Sequence, residues 1–200
     1  MSGALPTSPA VASVKINSYQ ETIVTKTISG KRQARVIGGQ YFKISAQYPN
    51  MTREQFAPIM AFMMKQRGSY DTFTFTPPVV SKPQGVDPGT PLVNGASQTG
   101  RSIITDGWGT GATLTVLKAG DFFKFTNHTK VYQVTDDVTC DTSGNATINF
   151  EPELQTSPSD NEALVTDDVP FTVFNETNVI TMATGVNNVF SFQLNLCEAL

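Results

Sequence analysis

The sequence holds one histidine, His128, in the turn-like string Asn127-His128-Thr129. With no partnered serine or cysteine motif around it, it has no nucleophile to activate. Its expected state is a solvated turn residue. Asp136, Asp137 and Asp141 lie close together, but they lack the spacing and the closing glutamate of a calcium loop and read as turn and strand-end residues. Gly107, Gly109 and Gly111 flank Trp108 as G-x-G-x-G, which fits neither a phosphate loop nor a dinucleotide fingerprint. Cys140 and Cys197 make no disulfide framework and are expected to be buried free thiols. No catalytic residue, metal ligand or cofactor site is nominated. Carboxylates for glycoside cleavage need not be adjacent in sequence, so a hydrolase with scattered carboxylates stands as a third reading, to be marked by a pocket with shifted carboxylate pKa values.

Two constellations point to binding. Lys31, Arg32 and Arg35 form the one local basic cluster. It is either a solvated hairpin or half of a salt bridge between subunits. Direct DNA contact ranks third, because no aromatic residues interleave to stack bases. Trp108 is the candidate aromatic platform of a host-surface or glycan-binding module.

These residues need elements to carry them. Val14-Lys15-Ile16 and Glu21 to Ile28 are β-branched and read as strand. Ser29-Gly30-Lys31 then turns the chain into a hairpin through Gln33 to Ile37, and Gly38-Gly39 permits a bulge before a strand over Tyr41 to Tyr48. Thr52-Arg53-Glu54-Gln55 is a capping box with a Met51/Phe56 staple, and Phe56, Ile59, Met60 and Met63 follow helical spacing up to Gly68. A helix is expected at about 53–67, with Pro58 kinking it or shifting its start, and with Met60, Met63 and Met64 as core filler. Phe73 and Phe75 alternate in a half-buried strand that Pro77-Pro78 stops.

From Val79 to about Thr113 glycine, proline, serine and threonine dominate, with turns at Lys82 to Gly85, Asp87-Pro88-Gly89 and Asn94-Gly95. This stretch reads as a domain boundary. Short strands follow over Thr113 to Leu117, Phe122 to Phe125 and Val131 to Val134, and Ser143-Gly144-Asn145 joins Asp136–Thr142 to Ala146–Phe150 as a hairpin. That spacing predicts a small barrel. Further strands are expected over Phe171 to Phe174 and Asn178 to Met182. The last strand is the plainest: Phe190, Phe192, Leu194 and Leu196 alternate with polar residues. Its aromatic face matches that of Phe73 and Phe75, so the chain is expected to return to its first domain and leave the middle module as an insertion.

Composition agrees. Hydrophobic residues make up 39% and charged residues 16%, against roughly 25% charged in an average soluble domain. The fold class is mainly β with one α-helix. A net charge of −3 and a pI near 5.1 exclude an overall basic field for nucleic acid. The chain lacks the roughly 18 consecutive apolar residues of a membrane span, so no membrane insertion is expected. Residues Met1 to Pro9 do not read as a secretion signal, which points to synthesis in a cytoplasm.

Several stretches resemble tail proteins of long-tailed, siphovirus-type phages: Ile28 to Arg35, Gly38-Gly39-Gln40-Tyr41-Phe42, Tyr48 to Ile59, and Gln66-Arg67-Gly68-Ser69-Tyr70 to Phe75. Lys118 to Phe122, Lys130 to Val134, Ser143 to Thr147 and Glu151-Pro152 are similar to small β modules of phage structural proteins. The resemblance is to the distal tail protein family and related minor tail proteins. It implies a virion component at the tail tip, made in the host cytoplasm: a ring, typically sixfold, that joins the tail tube to the hub and fibres and lets DNA pass through its channel. It also implies a β-sandwich-like ring domain over 13–78 plus 171–200, an inserted small β-barrel over 85–170, and an N-terminal arm over 1–12 that is flexible or partner-bound. Expected ring contacts are Lys31, Arg32, Gln33, Arg35 and Gln40. The chain has no room for the large carbohydrate-binding domain of longer members.

Overall fold

The structure, a computed structural model, describes residues 2–86, 89–109, 111–183, 185 and 189–200. Asp87 and Pro88 of one expected turn lie outside them. The chain divides into two compact units, one of residues 1–72, 173–198 and 200, the other of residues 73–172 and 199.

The first unit is built on antiparallel strands. β1 (Ser13–Tyr19) pairs with β4 (Tyr41–Gln47), and β4 pairs with β15 (Gln193–Glu198). β14 (Phe171–Asn175) pairs with β15 and begins among the second unit's residues, which also hold β5 (Phe73–Phe75). Strict alternation does the work. In β4, Phe42, Ile44 and Ala46 are buried while Tyr41, Lys43, Ser45 and Gln47 are half-buried, the two faces of a strand with period two. Helix α1 (Arg53–Lys65) begins where expected, with the Gln55 side-chain oxygen accepting the Thr52 backbone N–H at 3.0 Å. It runs on through Pro58 and buries Phe56, Ile59 and Met63. Phe56 stacks on Phe190 at 4.9 Å and meets Phe192 edge-on at 5.4 Å. The N-terminal stretch is tied to this unit: Ser2 N–H donates to Thr72 O, Leu5 is buried, and Ala12 N–H donates to Gln47 O.

The second unit is a nearly closed barrel. β6 (Leu92–Val93), β7 (Ser102–Asp106), β9 (Phe122–Phe125), β10 (Val131–Val134), β12 (Ala146–Glu151) and β13 (Leu164–Val165) form one sheet in the order β13-β9-β10-β12-β7-β6. Its two ends meet through a bridge between Leu92 and Ala163, with Val93 N–H donating to Glu162 O and Leu164 N–H to Pro91 O. Closure removes the exposed edges that would otherwise invite strand pairing. A side ladder of β8 (Leu114–Leu117) and β11 (Val138–Cys140) completes the unit.

Three expectations are corrected here. The turn-rich stretch 79–113 holds β6 and β7 and is part of the barrel. The turn at 143–145 forms, with Asp141 N–H donating to Asn145 O, but its flanking strands join different ladders, β11 with β8 and β12 with β7 and β10. Asn178 to Met182 form no strand; their one apolar side chain set, Val179, Ile180 and Met182, finds no sheet neighbour. Among the described residues no helix is long and apolar enough to cross a membrane.

Candidate functional site: a projecting β-ribbon

β1 and β4 do not end as a pair where their sheet ends. The chain continues from β1 through Gln20 and Glu21 into β2 (Thr22–Lys26), turns at Thr27–Lys31, and returns as β3 (Arg32–Val36) before re-entering β4. The return side carries two extra residues, Ile37 to Gln40 against Gln20 and Glu21, so the ribbon bends there. The tip is closed by Gly30 N–H to Thr27 O at 2.8 Å and Thr27 N–H to Lys31 O at 3.0 Å. Gly30 sits at φ 78°, a left-handed conformation that a side chain would strain.

Every residue of β2 and β3 is exposed, on both faces. Cross-strand partners share a face, and the register sorts them into two kinds. Thr22, Val24, Ala34 and Val36 lie on one face, continued toward the tip by the opposed pair Lys26 and Arg32; Ile23, Thr25, Gln33 and Arg35 lie on the other. Ile28 at the tip is wholly exposed. An isolated two-stranded ribbon is marginal in water, so this element is incomplete on its own.

Of the expected contact residues, the structure brings Lys31, Arg32, Gln33 and Arg35 together on this ribbon. Gln40 is different. It is buried at the ribbon's root, its Nε2 donating to Ser18 Oγ at 2.8 Å, so it helps to position the ribbon. Around the same root Tyr19 stacks on Tyr41 at 5.7 Å, and the Lys43 ammonium lies 4.9 Å from the Tyr19 ring while pairing with Glu176. The hydrogen bond to Glu176 holds the Lys43 amine above its usual pKa.

The same unit leaves a second surface uncovered. Arg53, Ala57, Met60, Ala61 and Met64 run along the outer side of α1 and line a groove with Met182 and Phe190. Met64 and Met182 are exposed. Of the three methionines expected to fill the core, only Met63 is fully buried; the buried set Phe56, Ile59 and Met63 follows i, i+3, i+7 spacing, which leaves Met60 and Met64 one position past it.

Trp108 is not a platform. It is fully buried in the barrel, its indole N–H donating to Thr105 Oγ1 at 2.7 Å, and Thr105 in turn donating to Ala146 O. The flanking glycines let the chain pass close by: Gly107 has φ 79°, and a Cβ there would stand 2.6 Å from Thr90 O. Phe123, Phe125, Tyr132 and Phe150 fill the interior beside Trp108, Phe123 meeting Phe150 edge-on at 5.3 Å. His128 is half-buried rather than freely solvated. It packs edge-on against Phe125, with Nε2 3.8 Å from the buried Glu162, whose oxygens accept the Asn127 and Ser159 N–H groups.

Two of the three close aspartates serve backbone geometry, while Asp136 accepts the Thr135 hydroxyl at 3.1 Å. Asp141 accepts N–H groups of Ser143 and Asn145, each at 2.8 Å, and the hydrogen bonds from Asn145 hold its carboxyl below the usual range. Asp137 accepts the Ala119 N–H at 3.0 Å. No group of three or more metal-ligating side chains occurs among the described residues. Cys140 and Cys197 are both free thiols.

Comparison with known proteins bears on the barrel. A family model described as distal tail protein pb9, B domain, matches residues 80–169. No curated protein matches the chain. The matched span contains every strand of the barrel from β6 to β13 and stops before β14. Residues 80–169 are thus similar to the B domain of a phage distal tail protein, and this match supports a structural role in the phage tail.

Proposed function

We propose that this protein is a ring-forming subunit of the tail tip, assembling as a homohexamer that joins the tail tube to the hub or fibres around the DNA channel. The observation that carries the reading is the β2–β3 ribbon, exposed at every residue and anchored by Gln40 at its root. A ring of identical subunits needs one surface that reaches and a different one that receives, related by a rotation that closes. A ribbon is well made for reaching. It offers two free strand edges for backbone pairing and an apolar face for burial. The uncovered groove beside α1 supports the same reading, since contiguous exposed apolar surface marks interaction sites.

In this reading Lys31, Arg32, Gln33 and Arg35 touch the neighbouring subunit, the tube and hub proteins dock above and below, and DNA is met only in passage. The role is structural rather than catalytic. The test is the solution mass of the purified protein by light scattering over a concentration series, with and without residues Ser29 to Arg35. The full chain is expected to form a closed oligomer near six copies and the deletion to stay small. A deletion that still forms the ring removes the ribbon from the interface.

A further inference from the structure

The two units carry opposite charge. Of the 17 acidic and 14 basic residues in the chain, residues 73–172 hold twelve acids and five bases, which leaves five acids and nine bases for the other unit. The barrel unit is therefore at −7 and the ribbon-bearing unit at +4. Nearly half of that unit's basic side chains stand on the ribbon: Lys26, Lys31, Arg32 and Arg35, with no acid between Thr22 and Val36. Lys26 and Arg32 face each other across the ladder, a like-charge pairing that costs stability within one chain and that an anionic surface would offset.

The barrel offers such a surface. Three of its carboxylates lie beside a base: Glu151 near Arg101, and Asp167 and Asp168 sharing Lys82. Asp136 and Asp137 are adjacent and exposed, and their hydrogen bonds go to Thr135 and the Ala119 N–H. No basic side chain pairs with either among the described residues.

We infer that the ribbon's partner is the barrel unit of a second copy, held by charge attraction between Lys31, Arg32 and Arg35 of the ribbon and the Asp136–Asp137 side. The inference rests on the ring reading and adds which surface receives the arm. A contact of +4 with −7 is heterologous, as a ring demands, and it orients the incoming subunit before the apolar face of the ribbon closes. Because exposed charges are screened beyond about 8–10 Å at physiological salt, assembly by this route weakens as salt rises.

The experiment uses the full chain and reads association by light scattering at low and high salt. Lys31→Glu, Arg32→Glu and Arg35→Glu together are expected to weaken association on the order of tenfold or more, with circular dichroism unchanged because all three side chains are exposed. Adding Asp136→Lys and Asp137→Lys to the same chain is expected to restore it. Association that ignores both salt and the ribbon reversal, or a swapped chain no better than the ribbon reversal alone, overturns the inference. If deletion of Ser29 to Arg35 still abolishes the oligomer in that case, the ribbon reading survives and only its charged receptor falls. A full chain that stays monomeric at every salt overturns both.

Discussion

Tyr48 shows how a single hydroxyl is held in the first unit. Its ring packs beside Phe192 at 6.0 Å and its oxygen is buried with no hydrogen-bond partner. Burial pushes its pKa from 10.0 to about 12. An unfolded chain therefore ionises this group near its ordinary value while the folded one keeps the proton. The folded state binds more protons in that window, so stability is full below pH 10 and falls as pH rises toward 12. Tyr48→Phe is expected to remove this alkaline loss and to change stability at neutral pH by less than about 1 kcal/mol, because no hydrogen bond is given up. Urea midpoints on either side of the window would check it; an unchanged alkaline loss in the variant would assign the effect to another group.

At this scale the sequence was legible in type and opaque in burial. Lys31, Arg32 and Arg35 could be placed on a hairpin because turn chemistry at Ser29-Gly30 is local. Gln40, Trp108 and His128 could not be placed, since whether a side chain meets solvent or Ser18, Thr105 or Phe125 is decided by chain segments 3 to 22 residues away.

The ribbon makes its own prediction as an element. Among the described residues its ladder has no third strand, whereas β4 lies between β1 and β15. In dissociated protein, amides of Thr22–Lys26 and Arg32–Val36 are expected to exchange orders of magnitude faster than those of Tyr41–Gln47, and to become protected on assembly. Equal protection in both states would mean the ribbon is not the element that assembly covers. The elements easiest to read were those with a strict period: β4, β15 and α1. Ser102 to Asp106 escaped because its three β-favouring residues, Ile103, Ile104 and Thr105, stand amid turn formers, and it becomes a strand only by pairing with β12 and β6. Asn178 to Met182 failed the other way, having strand-forming side chains and no ladder to join.

For the whole molecule, two cores imply two cooperative units. Trp108 is the chain's one tryptophan and lies in the barrel, so its fluorescence reports that unit alone, whereas far-ultraviolet circular dichroism reports both. The two signals are expected to give non-coincident urea transitions; coincident curves would show that the units unfold as one. The barrel strands β9, β10 and β12 were visible in sequence as short runs at regular spacing. Its closure was not, because the bridge from Leu92 to Ala163 joins residues 71 apart and no local pattern specifies that distance.

The basic ribbon also governs what the protein does before it meets its partners. Freshly made copies in a crowded cell expose bare strand edges, the usual seed of fibrous aggregation. Two ribbons approaching edge to edge would bring together Lys26, Lys31, Arg32 and Arg35 from each copy, with no acid on either to offset them. Mutual repulsion therefore disfavours pairing of ribbon to ribbon, and copies that meet are steered away from the open-ended polymer.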